Sequence, residues 1–326
     1  MSAPAIACLG AGRMARGIAV VFAYAGHRVT ILDVKARTAA AYSQQAAAAL
    51  VDVRATLLSF AEFGLLPPGA VDGILARVCV LPEREAAAPM AQAAVVFEAV
   101  PELPELKRQV LARLSPLAPE TIIASTTSTI LVDDLADAVF KPERFLNAHW
   151  LNPAFLVPLV ELSPGLNTEP GVTQRLKALL ESIGKVPVVC AARPGYIVPR
   201  IQALAMNEAA RLLEEGVASA EDIDKAIKYG FGVRFATLGM LEFIDWGGGD
   251  ILYYASRYLT GALGSERYAA PEIVERNMRE NRVGLKTGKG FLNYETLDVE
   301  AYRRQRLEGF VKLLGHLGLM RPPVLP

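Results

Sequence analysis

The sequence predicts an α/β protein: a doubly wound, largely parallel sheet followed by an all-helical C-terminal domain. Three observations carry the prediction. Short apolar runs alternate with helix-length segments through the first half, a glycine-rich turn joins the first run to the first helix, and strand-like runs stop beyond residue 192.

The candidate strands in order are Ala5–Leu9, Arg28–Leu32, Ala94–Glu98, Ile122–Ser125 and Phe145–Ala148. Each is short and almost continuously apolar, as strands buried on both faces must be. Helices are expected over Met14–Ala25, Thr38–Phe63 and Glu105–Leu114. The Ala-rich stretch from Lys35 to Leu66 is too long for an ordinary crossover helix. It is expected to project as an arm over about residues 35–80, returning after the turn Leu66-Pro67-Pro68-Gly69. A further strand pair, Leu159–Leu162 and Val186–Val189, flanks a helical segment, Val172–Ile183. After Ala192-Arg193-Pro194-Gly195 the pattern is nearly all helical: Val198–Glu215, Ala220–Lys228, Phe235–Ile244, Pro271–Glu280 and Val299–Leu317. The domain boundary is therefore set near residue 192, dividing the chain into residues 1–192 and 193–326.

Composition narrows the function classes. The 326 residues carry 34 Lys+Arg against 34 Asp+Glu, so no global field favours nucleic acid or an anionic membrane. No uncharged run approaches the roughly 20 apolar residues that span a bilayer. Cys8, Cys79 and Cys190 stand far apart, in no metal-ligand spacing, and are expected to be buried as small apolar residues in a reducing compartment. With no basic lead-in before Ala5, a cytoplasmic setting is expected, and no metal.

The turn Leu9-Gly10-Ala11-Gly12-Arg13-Met14-Ala15-Arg16-Gly17 follows one candidate strand and opens an apolar helix. Gly10 permits a tight turn, Gly12 lets the backbone approach a pyrophosphate, and Ala15 allows close helix–strand packing. Free N–H groups at the helix start, from Arg13 and Met14 onward, suit phosphate. Asp33, closing the second strand, is placed to accept hydrogen bonds from the adenosine ribose and to repel a 2′-phosphate. The cofactor expected of this Rossmann-type fingerprint is NAD, although Lys35 and Arg37 lie just beyond. The plain alternative is a glycine turn with a surface aspartate.

Of three histidines, His27 sits in a turn and His316 on the last helix, where packing or surface roles suffice. His149 ends an apolar strand on its carboxyl side, where open α/β sheets place ligands. Glu161 lies twelve residues on, inside the apolar run Leu159-Val160-Glu161-Leu162, where an unpaired carboxylate is costly. A carboxylate that orients the imidazole explains both. Spacing alone permits equally a satisfied core histidine and a salt-bridged glutamate.

The run Leu146-Asn147-Ala148-His149-Trp150-Leu151-Asn152-Pro153, with Leu159-Val160-Glu161, resembles the signature of the 3-hydroxyacyl-CoA dehydrogenase family. So do Ala124-Ser125-Thr126-Thr127-Ser128-Thr129, Phe97-Glu98-Ala99-Val100-Pro101-Glu102, Pro194-Gly195-Tyr196-Ile197-Val198 and Thr287-Gly288-Lys289-Gly290-Phe291. The likeness runs from about residue 5 to 294. It implies an NAD domain, a helical second domain that forms a homodimer, and a closed cleft between them. It also implies His149 as the acid/base, Glu161 as its partner and Ser128 as hydrogen-bond donor to the reacting oxygen. Glu102 and Lys107 would contact the nicotinamide half of NAD, and Asn152 the substrate. For Ser128, a helix N-cap is the structural alternative.

Three departures put the acyl carrier in question. Pro199 stands where the family usually has an asparagine. The arm has no lysine between Lys35 and Lys107, only Arg37, Arg54, Arg77 and Arg84, whereas thioester-using members grip the CoA phosphates with lysines. Gly232-Val233-Arg234-Phe235-Ala236 resembles branches acting on free hydroxy acids, such as gulonate 3-dehydrogenase and carnitine dehydrogenase. There Arg234 would hold a substrate carboxylate, or be an ordinary surface arginine. The expected activity is NAD-dependent interconversion of 3-hydroxyacyl and 3-oxoacyl groups, short-chain such as 3-hydroxybutyryl. The alternatives are a dehydrogenase of a free small 3-hydroxy acid and a catalytically idle NAD-binding structural or sensory protein. A hydroxyisobutyrate-type dehydrogenase, which relies on a lysine from its helical domain, lacks the His–Asn–Pro run seen here.

Overall fold

The computed structural model describes residues 3–114 and 120–325. Eight strands form one sheet in the order β3-β2-β1-β4-β5-β6-β7-β8. They are β1 (Ala5–Leu9), β2 (Val29–Asp33), β3 (Val78–Pro82), β4 (Ala93–Glu98), β5 (Ile122–Ser125), β6 (Phe145–Trp150), β7 (Leu159–Pro164) and β8 (Val186–Val189). The helices among these strands are α1 (Arg13–Tyr24), α2 (Ala39–Glu62), α3 (Val71–Leu75), α4 (Ala87–Gln92), α5 (Pro104–Leu114), α6 (Val132–Ala136) and α7 (Pro170–Ser182), and α8 (Val198–Glu214) follows the last strand. Every pairing is parallel except β6 with β7. That exception follows from chain length: parallel strands need a crossover of a dozen or more residues, and residues 151–158 are too few to supply one.

Alternation along buried strands sends side chains to both faces. Ile6 and Cys8 of β1 join α1, α2 and α7 in one core, while Ala7 and Leu9 join α4 and α5 in another. Strand order reverses between β1 and β4, and in open α/β sheets ligands bind in the crevice at such a switch point.

Three expectations are corrected. The segment after β2 does not stand clear of the sheet along its length: α2 is a 24-residue helix whose Ala49, Val53, Leu57 and Phe60 are buried in the main core. The chain then enters β3, an edge strand absent from the sequence reading, which pairs with β2. β3 alternates in exposure and closes on Pro82, a residue that edge strands tolerate because it cannot donate to a ladder. Cys79 lies on the outward face of this edge and is exposed, and Cys190 is half-buried; only Cys8 lies fully in the core.

The chain divides into two compact units, Met1–Ala205 and Met206–Pro326. The second contains α9 (Ala220–Ala226), a π-helical turn (Ile227–Gly232), α10 (Val233–Phe235), α11 (Met240–Gly247), α12 (Gly249–Leu263), α13 (Glu272–Arg279) and α14 (Val299–His316). The helix expected over Phe235–Ile244 is broken at Gly239, whose N–H is capped by the Glu242 carboxylate at 3.0 Å. Helix α12 went unread because it opens on the last of three consecutive glycines, Gly247–Gly249. The Thr287–Phe291 motif docks on buried Asp245, whose carboxylate accepts the N–H of Phe291 and of Leu292 at 2.9 and 2.8 Å. Among the described residues no helix is long and apolar enough to cross a membrane.

Candidate active site

The turn after β1 fits a dinucleotide. Gly10 has φ +94°, and a Cβ there would lie 2.9 Å from the Ala99 carbonyl oxygen, so glycine is required. A Cβ on Gly12, the residue capping α1, would meet nothing within 4 Å. That leaves open space beside the first-turn N–H groups of Arg13, Met14 and Ala15, which no intrahelical carbonyl can reach. Ala15 is fully buried. Asp33 closes β2 and is buried; its carboxylate takes the Arg37 Nε–H at 2.6 Å and the Lys35 N–H at 3.3 Å.

His149 and Glu161 are directly opposite each other in the antiparallel β6–β7 ladder, which puts both side chains on one face. The imidazole Nδ1 lies 2.8 Å from Glu161 Oε2, and the two residues are 5% and 0% exposed. The other carboxylate oxygen, Oε1, accepts the backbone N–H of Ile197 and of Val198, each at 2.9 Å. Burial pushes the Glu161 carboxyl upward, but the bonds from His149, Val198 and Ile197 outweigh it and hold it below the usual carboxylate range. Val198 starts α8, so the departure Pro199 falls in a first helical turn, where its missing N–H costs no helical bond.

Ser128 lies in the turn after β5, exposed, with no hydrogen bond to its hydroxyl among the described residues. It is not a helix N-cap: α6 starts at Val132 and is preceded by Leu131, with no side-chain cap. The turn is organised by Glu102, whose Oε1 accepts the N–H of Ser128 at 2.8 Å, the N–H of Thr129 at 2.9 Å and the hydroxyls of Thr127 and Thr129. Burial raises the Glu102 carboxyl, while the Thr127 bond, the Lys107 charge and the two amides bring it below its ordinary value. Lys107, expected at the nicotinamide, is 1% exposed; its Nζ donates to both oxygens of Glu98 at 2.9 and 3.0 Å and lies 3.4 Å from Glu102.

Asn152 is exposed on the β6–β7 connection and helps line a cavity of about 580 Å³, with Arg13 and Arg16 of α1 and Asp52 and Thr56 of α2. The Arg16 guanidinium is paired with Asp52. Arg234, in the second unit, is exposed and lies over the Phe243 ring at 5.5 Å.

Three residues at the site have no role assigned from the sequence, although Gly17 and Tyr196 lie within its motifs. Lys185 donates to the carbonyls of Ala154 and Val157 at 2.6 and 2.8 Å, bracing the connection that carries Asn152; burial pushes its ammonium down to about 8. Gly17 brings α1 against the same connection, where an added Cβ would lie 3.0 Å from that of Ala154. Tyr196 stacks on His149, with ring centroids 5.1 Å apart and planes 3° from parallel.

The fold and these motifs have known counterparts. Residues 5–193 match the family model for the NAD binding domain of 3-hydroxyacyl-CoA dehydrogenase, and residues 195–294 that for its C-terminal domain. A 3-hydroxyacyl-CoA dehydrogenase structure from Archaeoglobus fulgidus superposes with a TM-score of 0.76 at 31% identity, covering 98% of this chain and 100% of that one. The 5-formyl-3-hydroxy-2-methylpyridine 4-carboxylate 5-dehydrogenase of Mesorhizobium japonicum is 30% identical over 94% of this chain and 96% of its own. The 3-hydroxybutyryl-CoA dehydrogenase of Bradyrhizobium diazoefficiens is 31% identical over 89% and 94%. The chain belongs to the 3-hydroxyacyl-CoA dehydrogenase family, NAD-dependent oxidoreductases acting on CH–OH groups.

Proposed function

We propose that the protein interconverts a short-chain 3-hydroxyacyl group, such as 3-hydroxybutyryl, and its 3-oxo form, with His149 as the acid/base. The observation that carries this reading is the His149–Glu161 pair at 2.8 Å, with both carboxylate oxygens occupied. An anionic Glu161 keeps the proton on Nδ1, which leaves Nε2 to accept the alcohol proton on oxidation and return it on reduction. Glu161 thus acts as a positioning residue, and it stabilises the imidazolium when that forms. The Ser128 hydroxyl donates to the reacting oxygen, where negative charge develops during reduction. Gly10, Gly12, Arg13, Met14 and Ala15 form the cradle for the pyrophosphate, and Asp33 takes the adenosine ribose. When bound, NAD supplies the acceptor for the electron pair of the broken C–H bond.

On this reading residues 1–192 bind NAD and 193–326 serve substrate binding and dimerisation; the two family matches meet at 193/195. Exposed Met206, Ile251, Tyr254 and Tyr258 support a homodimer through the second unit, which sedimentation reads directly. Cysteines left free support a cytoplasmic setting.

Isothermal titration is expected to give tighter binding of NAD than of NADP, because a buried carboxylate at the end of β2 repels a 2′-phosphate. Asp33→Ala weakens NAD and releases Arg37, so the two affinities converge. Equal affinities in the wild type would remove Asp33 from this role.

A specific observation favours a second reading, a free 3-hydroxy acid. The cavity beside Asn152 has Arg16 neutralised by Asp52 and no lysine on α2, a poor setting for CoA phosphates. A pyridine carboxylate dehydrogenase among the relatives agrees with a carboxylate substrate. NAD reduction measured on matched free acids and CoA thioesters separates the readings, and no absorbance change with any substrate would leave an idle NAD-binding protein. If the free acid is used, Arg234→Met raises its KM at least about tenfold, the loss of roughly 1.4 kcal/mol. Unchanged kinetics there, with efficient turnover of 3-hydroxybutyryl-CoA, selects the thioester.

A further inference from the structure

We infer that Tyr196 is a positioning residue that ties the Ser128 turn to the face of β6 carrying His149, an inference that rests on the roles proposed above for those two residues. The Tyr196 side chain meets both. Its ring lies flat against the imidazole, and its hydroxyl donates to the Thr127 carbonyl at 3.0 Å. The same hydroxyl accepts the Asn147 amide N–H at 2.9 Å. Asn147 precedes His149 by two residues on β6, so the two side chains share a face, and its amide also donates to the Ile130 carbonyl at 2.9 Å. The turn bearing Ser128 is therefore held at both ends, at Thr127 by Tyr196 and at Ile130 by Asn147. Glu102 grips its middle.

The backbone reinforces the placement. Tyr196 has φ +43°, one of two non-glycine residues with positive φ among those described. A bulky residue occupies that region at a cost, which the surrounding contacts must offset. The next two residues give their N–H groups to Glu161, so one turn fixes the imidazole from its face and from its Nδ1 side. The phenol itself is no proton donor for the reaction: its hydrogen is committed to Thr127, and burial pushes its ionisation upward. A phenylalanine would keep the stack and lose the tie. The hydroxyl thus restricts where Ser128 can stand relative to the imidazole, and a loosely held donor loses much of its value in an oxyanion-type contact.

Tyr196→Phe tests the tie while sparing the stack. Hydrogen–deuterium exchange across residues 127–130 is expected to speed about tenfold, a readout that needs no substrate and is independent of the proposed activity. In steady-state assays kcat/KM is expected to fall about tenfold with the Kd for NAD unchanged. Added to Ser128→Ala, the substitution is expected to cost nothing more, because coupled residues are non-additive. Unchanged exchange in 127–130 overturns the tie. Faster exchange with a kinetic loss that adds in full to that of Ser128→Ala overturns action through Ser128. Faster exchange together with a fully active Ser128→Ala enzyme instead overturns the role given to Ser128 in the proposed reaction.

Discussion

His149→Ala is expected to lower turnover by roughly 100-fold or more, the contribution of a well-placed acid/base, while the Kd for NAD stays at its wild-type value. The imidazole stands at the carboxyl end of β6, whereas the cofactor turn lies after β1, so the two functions separate in the measurement. Glu161→Gln acts in the same direction. The amide can still accept from Ile197 and Val198, yet it no longer stabilises a positive imidazole. Single-turnover kinetics with the best substrate of the screen would decide the matter: wild-type rates in either variant would remove the pair from the chemistry. The linked stability effect has a definite sign. Because the folded state depresses the Glu161 pKa, its contribution is present above the ordinary carboxyl range and is lost as pH falls through the lowered value. Acid unfolding should therefore begin at higher pH in the His149→Ala variant, which lacks one of the bonds that hold Glu161 down.

Lys107→Met is expected to destabilise the first unit by about 3–5 kcal/mol, the usual cost of stripping one partner from a buried ion pair. Glu98 is 0% exposed and would keep only the Val100 N–H and the Ser125 hydroxyl. Denaturant unfolding followed by far-UV circular dichroism measures the change. Combining Lys107→Met with Glu98→Gln should recover part of the loss, since no bare carboxylate then remains. If Lys107→Met instead weakened NAD binding and left stability unaltered, the lysine would serve the cofactor as first expected, and its ammonium would have to leave Glu98 to do so.

What could be read beforehand follows from which signals are periodic. Strands β1, β5 and β8 were legible to the residue because continuous apolar runs bounded by turns have one simple reading. Edge strand β3 is as apolar as β8 but went unread because it begins inside the stretch assigned to the projecting arm, residues 35–80. At the site, the costly burial of a glutamate in an apolar run called for a partner, the family resemblance pointed to His149, and the ladder sets the two opposite each other. Lys107 was assigned to the nicotinamide by the family resemblance, and spacing does not reveal that Glu98, nine residues before it, lies in the core and claims its charge. Tyr196 was opaque for a different reason. Its position depends on a positive φ after Gly195 and on atoms from residues 127 and 147, none of which leaves a pattern along the chain.

The antiparallel turn-back from β6 to β7 has a consequence for how such an enzyme can diverge. His149 and Glu161 face each other because of ladder registration, with Ala148 opposite Leu162 and Asn147 opposite Ser163 below them. The connector of residues 151–158 lies beyond the last rung, braced by Lys185 at Ala154 and Val157. Exposed side chains on that connector, Asn152 among them, can change without disturbing the rung that sets His149 opposite Glu161. On the roles proposed above, the rungs would carry the chemistry and the exposed side chains of the connector the selectivity, only a few residues apart.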